Sequence, residues 1–173
     1  AKLREGLPAA ASVLNPVDVL GDAMADRYAL AINAVADDPQ VGAILVVLTP
    51  QIMTQILETA EAVTAVAQRS GKPILTVFMG KQTISAGERI LTEHSLPNYP
   101  VPERAVNALA AMVRQREWQE RPLQSVYAMM ILDAVVYNVR DNGIVTKKAA
   151  YVAIGTDLDG KKDVLGIWLG ASE

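Results

Sequence analysis

Alternation of strand-like and helix-like segments stops at Arg116-Glu117-Trp118-Gln119-Glu120-Arg121-Pro122-Leu123. Upstream, short continuously apolar runs alternate with longer amphipathic ones, the pattern of βαβ units and a parallel sheet. Downstream, strand-like runs follow one another directly, separated only by tight-turn residues, the pattern of an antiparallel meander. A chain of 173 residues has room for one ordinary domain, or a small domain and a partial one. The change of pattern divides it into residues 1–117 and 118–173, with a seam at about 116–123.

Several function classes are excluded by composition. There is no cysteine and a single histidine, so neither a disulfide framework nor a thiolate or histidine metal cluster is available. Acidic residues outnumber basic ones on both sides of the seam, and neither side offers the basic face that neutralises nucleic-acid phosphates. The longest apolar run, Val41 to Leu48, is strand-sized and too short for a membrane span. No apolar region follows the first residues as a signal peptide requires. Together these features suit a cytoplasmic chain without membrane contact.

In the first part, Asn15-Pro16-Val17-Asp18 is a turn, and Asp22 is positioned to cap a helix carrying Met24, Tyr28, Ile32 and Val35 at helical spacing. Val41–Leu48 and Ile74–Met79 read as strands buried on both faces. A helix from about Thr54 to Ser70 ends at Gly71 and cannot extend through Pro73. Ser85–Glu93 is a further helix, and Leu96–Tyr99 is a candidate third strand. A last helix begins near Pro102-Glu103, with Ala105, Val106, Leu109, Met112 and Val113 on one face. In such sheets ligands bind beyond the carboxyl ends of the strands, here Thr49, Pro50, Met79 and Gly80; turn geometry alone also accounts for these residue types.

Asn15–Ala23, Leu45–Gln51, Ser70-Gly71-Lys72-Pro73 and Pro102–Val106 resemble, in this order, one domain of the NDP-forming acyl-CoA synthetases, which include ADP-forming acetate–CoA ligase. The resemblance covers roughly residues 3–120. It implies a flavodoxin-like, three-layer parallel sheet, truncated at its N-terminus, because the family's opening strand and glycine-rich phosphate turn precede the first residue here. It also implies CoA and ATP or ADP as cofactors, and other synthetase domains or subunits as partners. Asn15, Asp18, Thr49 and Gly80 are the loop residues that would face ligand or phosphate. The family's phosphohistidine belongs to another domain; His94, in Glu93-His94-Ser95-Leu96-Pro97, reads as a solvent-facing connection residue.

In the second part, Val126–Arg140, Lys147–Gly155 and Asp163–Leu169 read as three strands, with turns at Asp141-Asn142-Gly143 and Asp157–Lys161. Asp133 is the one acid in the middle of the first, apolar strand. An ionised carboxylate in such a setting is costly unless it is paired or binds a cation, and a strand aspartate holding Mg²⁺ is how ribonuclease-H-like nucleases begin their sites. A structural role near a strand end fits a lone aspartate equally well. Asp157, Asp159 and Asp163 read as turn formers.

Glu117–Leu123, Leu132-Asp133-Ala134, Val139–Gly143, Lys148–Gly155 and Leu158–Gly170 resemble the Mutator-type transposases of bacterial insertion sequences, almost without gaps over residues 117–173. This implies the start of an RNase-H-like core with Asp133 as the first aspartate of a DDE triad and a ligand of catalytic Mg²⁺. The chain departs from the family at Val135-Val136-Tyr137, and Glu173 falls where the family continues toward its second aspartate. One carboxylate cannot hold a two-metal site. The two resemblances together imply a fusion remnant without independent catalysis. The alternatives are a transposase fragment that contributes Asp133 to DNA strand transfer within an assembly, and a non-catalytic module that binds CoA or a synthetase subunit. DNA is expected as a partner only in a complete transposase. An incomplete sheet predicts an association-prone chain.

Overall fold

The computed structural model describes residues 2–141 and 144–171. The chain divides into two compact units, 1–111 and 112–173. Its elements run α1 (Lys2–Gly6), α2 (Ala25–Ala36), β1 (Ile44–Leu48), α3 (Ile56–Ser70), β2 (Ile74–Phe78), α4 (Ser85–Glu93), α5 (Pro102–Glu120), β3 (Met129–Asp141), β4 (Ile144–Thr156) and β5 (Lys162–Ala171).

In the first unit β1 and β2 pair in parallel, Ile44 with Ile74 through to Leu48 with Phe78. Every residue of β2 is buried, as a continuously apolar strand between helix layers requires. Alternation along β2 sends Ile74 and Phe78 into a core with Ile32 of α2, Ala60 and Val63 of α3 and Leu91 of α4. Leu75 and Val77 point the other way and meet Ala105 and Leu109 of α5. Helices therefore cover both faces of a parallel sheet, as expected. α3 ends where Gly71 takes the left-handed conformation at φ 64°, which costs glycine nothing.

Three expectations for this unit need correction. The third strand at 96–99 is reduced to a single bridge between Thr76 and Asn98. The Asn98 side chain replaces the missing ladder: its Oδ1 accepts from the Phe78 N–H (2.9 Å) and the Thr76 hydroxyl (3.1 Å). Asp22 does not cap α2, which starts later, at Ala25; instead it accepts from Arg27 Nη1 at 2.7 Å. The apolar face of α5 is only partly used: Ala105 is fully buried, whereas Val106, Met112 and Val113 are exposed.

The second unit is the expected meander, in the order β3-β4-β5. β3 and β4 pair antiparallel over their whole length, from Met129–Thr156 to Asp141–Ile144. The anticipated Asp141-Asn142-Gly143 turn falls largely on residues 142–143, which lie outside the described residues. The second turn is as read: Asp157 N–H donates to Lys161 O, Gly160 N–H to Asp157 O, and Gly160 has φ 80°. One face of the sheet is thin. A Cβ added at Gly155 would lie 2.6 Å from the Tyr127 ring, and one added at Gly166 would lie 2.3 Å from the Trp168 ring, so glycine lets both rings lie flat on the strands.

Candidate functional site

Loops at the carboxyl ends of β1 and β2 form the crest where ligands of such sheets sit. Thr49 and Gly80 are exposed there, and Gly80 (φ 114°) passes so close to Pro50 that an added Cβ would stand 3.3 Å from Pro50 Cγ. Gln55 joins this crest to the start of α2 by accepting the Ala25 N–H at 3.2 Å. The loop before α2 is exposed at Asn15 and Asp18. Asp18 is committed to that loop: its Oδ1 accepts the Leu20 N–H (2.9 Å), and its backbone exchanges two hydrogen bonds with Ser12. Its charge and the burial of the ring together hold the Tyr28 phenol above its usual pKa, burial contributing more. His94 is exposed at the end of α4, with Nδ1 2.9 Å from Ile90 O.

A second cluster joins Lys2 and Arg69 to Asp37, at 3.2 and 3.1 Å. Hydrogen bonds from Arg69 first, and then Lys2, hold the Asp37 carboxyl below its usual pKa. The charges there are spent on one another, and the cluster pins α1 and α3 to the end of α2.

Asp133 sits in β3 opposite Val152 and, across β4, Ile167. The apolar run around this carboxylate does not bury it. Asp133 is exposed, and its Oδ1 accepts the Ala134 N–H at 2.8 Å. Among the described residues no group of three or more His, Asp or Glu is arranged to hold a metal ion. A lone exposed carboxylate does not fit a two-metal site.

The most developed polar constellation of the second unit was missed from sequence. Arg121 forks onto Asp163 through Nη1 (2.7 Å) and Nη2 (2.8 Å), and Nη2 also donates to Val164 O at 2.6 Å. The guanidinium carbon lies 5.4 Å from the centroid of the Trp118 ring. The Tyr127 hydroxyl lies 3.4 Å from Asp163 Oδ2. The Arg121 hydrogen bonds hold the Asp163 carboxyl below its usual pKa, and Asp163 raises that of Arg121. Asp163 is thus an ion-pair partner and not the turn former anticipated. Asp157 is a turn former: its Oδ1 accepts from the N–H groups of Asp159 and Lys161. No sequence signal links Arg121 to a residue 42 positions away.

The family described as "Transposase, Mutator family" matches residues 101–173, a stretch that takes in the whole of α5. The transposase for insertion sequence element ISRM3 of Rhizobium meliloti is 44% identical over 57 residues, 33% of this chain and 14% of its own length. The ADP-forming acetate–CoA ligase I of Archaeoglobus fulgidus is 38% identical over 113 residues, 65% of this chain and 16% of its own length. The dinucleotide-forming acetyl-coenzyme A synthetase 1 of Ca. Korarchaeum cryptofilum, solved with phosphate and ADP, superposes with a TM-score of 0.60 at 26% identity, over 65% of this chain and 25% of that one. The chain therefore spans between about a seventh and about a quarter of the length of the curated relatives it matches. It joins a segment similar to ADP-forming acyl-CoA ligases to one similar to Mutator-family transposases.

Proposed function

We propose that this chain is a fusion remnant in which residues 1–117 are a flavodoxin-like piece of an ADP-forming acyl-CoA synthetase and residues 118–173 open an RNase-H-like transposase core. The seam lies at about 116–123. The observation that carries this reading is the pair of similarities in one chain, each to a small fraction of an otherwise unrelated enzyme. Neither part brings a full set of reacting groups. On the ligase side, Asn15, Asp18, Thr49 and Gly80 remain as crest residues, with Asp18 occupied by its own turn. CoA and ADP belong to the relatives' chemistry. On the transposase side, Asp133 is the position of the first aspartate by resemblance, and DNA strand transfer with Mg²⁺ would need further carboxylates, none of which is grouped with it among the described residues.

A second reading is supported by the crest itself. Ile52 and Met53, in the loop after β1, and Leu57, in the first turn of α3, are exposed apolar side chains beside the Gln55 junction. Apolar groups grouped at a loop suit docking against another synthetase domain or subunit.

The purified chain is assayed for acyl-CoA formation from acetate, CoA and ATP, and for Mg²⁺-dependent cleavage of insertion-sequence-end DNA. The expected result is neither activity and no thermal shift with CoA or ADP. DNA cleavage abolished by Asp133→Asn would replace this reading with an active transposase fragment. A thermal shift with CoA or ADP would replace it with a binding module.

A further inference from the structure

We propose that two copies of this chain pair through the outer edge of β3, antiparallel and in register about Val135, to give one continuous sheet. β3 stands at the edge of the β3-β4-β5 sheet and is paired only with β4. Alternate residues along its 13-residue length therefore point their N–H and C=O groups away from β4. Residues 128–138 are all exposed, and among the described residues of this unit no strand other than β4 pairs with β3.

The two edges of the sheet differ. β5 is shorter, contains Gly166 and Gly170, begins at Lys162 just behind Lys161, and shifts register against β4 between Ala153 and Ile154. Glycine, lysine and bulges are the devices that keep an edge from pairing. β3 has no glycine, no proline and no register shift against β4. With Asp133 and Arg140 as its charges, it is the less guarded edge.

The strand is also its own complement. A two-fold axis perpendicular to the sheet keeps each face continuous only if it passes through a residue, and the axis through Val135 pairs β3 over its whole length. Val135 then faces its own copy, Asp133 faces Tyr137, Leu132 faces Asn138 and Met130 faces Arg140. Neither Asp133 nor Arg140 meets a like charge, and the central pair is β-branched, the side-chain type that pairs well across strands. Moving the axis to Asp133 would shorten the pairing and oppose two carboxylates. The partner is therefore a second copy of this chain, held in one register.

The test is a charge swap at the axis. Val135 is 56% exposed, so Val135→Lys and Val135→Glu leave the fold of one chain intact, which far-UV circular dichroism checks. Sedimentation velocity over a concentration series reads the association of the 18.5 kDa chain. The unsubstituted chain is expected to form dimers. Each variant alone sets like charges face to face and weakens the dimer about tenfold or more. An equal mixture of the two variants sets lysine against glutamate and recovers the dimer. A chain that stays monomeric at every concentration, variants that dimerise as well as the parent, or a mixture that fails to recover the dimer would each overturn the proposal.

Discussion

Arg121 and Asp163 tie the segment that follows α5 to the start of β5, and their contribution should be visible in acid. The Arg121 hydrogen bonds hold the Asp163 carboxyl below the value it has in the unfolded chain. A depressed carboxyl pKa adds stability above the unfolded value, about 3.9 for aspartate, and that stability is lost as pH falls through the folded value. Asp163→Asn should therefore melt below the parent at pH 7, and the difference should close as pH falls below about 4. Melting curves followed through Trp118 and Trp168 fluorescence check this; an unchanged gap at pH 3 would assign the loss to something other than the ion pair. Arg121→Lys should recover only part of the stability, because an ammonium cannot make the fork. None of this was legible in the sequence, where Asp163 looks like any acid flanking a turn. The deciding contact is one of tertiary structure, and local pattern carries no trace of it. Asp133 is the converse case. An apolar neighbourhood in sequence makes a carboxylate costly only where it is buried, and this one is exposed.

Elements were far more legible than contacts. α4 spans Ser85–Glu93 as read, and β2 ends one residue before the expected Met79. β1 is shorter than the apolar run that announced it, because pairing with β2 begins only at Ile44. Leu96–Tyr99 failed to become a strand because one bridge and the Asn98 side chain satisfy the β2 edge there. α5 was placed correctly at its start, but its apolar stripe promised more burial than the helix receives. The helix continues to Glu120, through the residues where the sequence pattern changes, so the seam proposed at about 116–123 would lie largely inside a helix. One close helix contact was invisible in the sequence. A Cβ at Gly87 of α4 would stand 2.7 Å from Ile56 Cγ2 and 3.2 Å from Ile56 O. Because part of that obstacle is backbone, Gly87→Ala must push α3 and α4 apart, at a cost of about 1–3 kcal/mol. Chemical denaturation should show the loss; an unchanged midpoint would mean that α4 shifts freely over α3.

For the whole molecule, parts similar to two unrelated families are joined in one chain, at the seam proposed near residues 116–123, and the first folds around its own core. Phe78, Leu48, Leu75 and Leu91 are fully buried in residues 1–111, whereas most large apolar side chains of β3 are exposed. Unequal burial of this kind predicts unequal resistance to opening. No helix of the described residues is long and apolar enough to cross a membrane. The most direct measurement is limited proteolysis with mass mapping of the fragments. Early cleavage within about residues 115–126, leaving a resistant N-terminal fragment, is the predicted result. Resistance across that stretch, with the chain lost only as a unit, would show that the two parts share one core and would contradict the account.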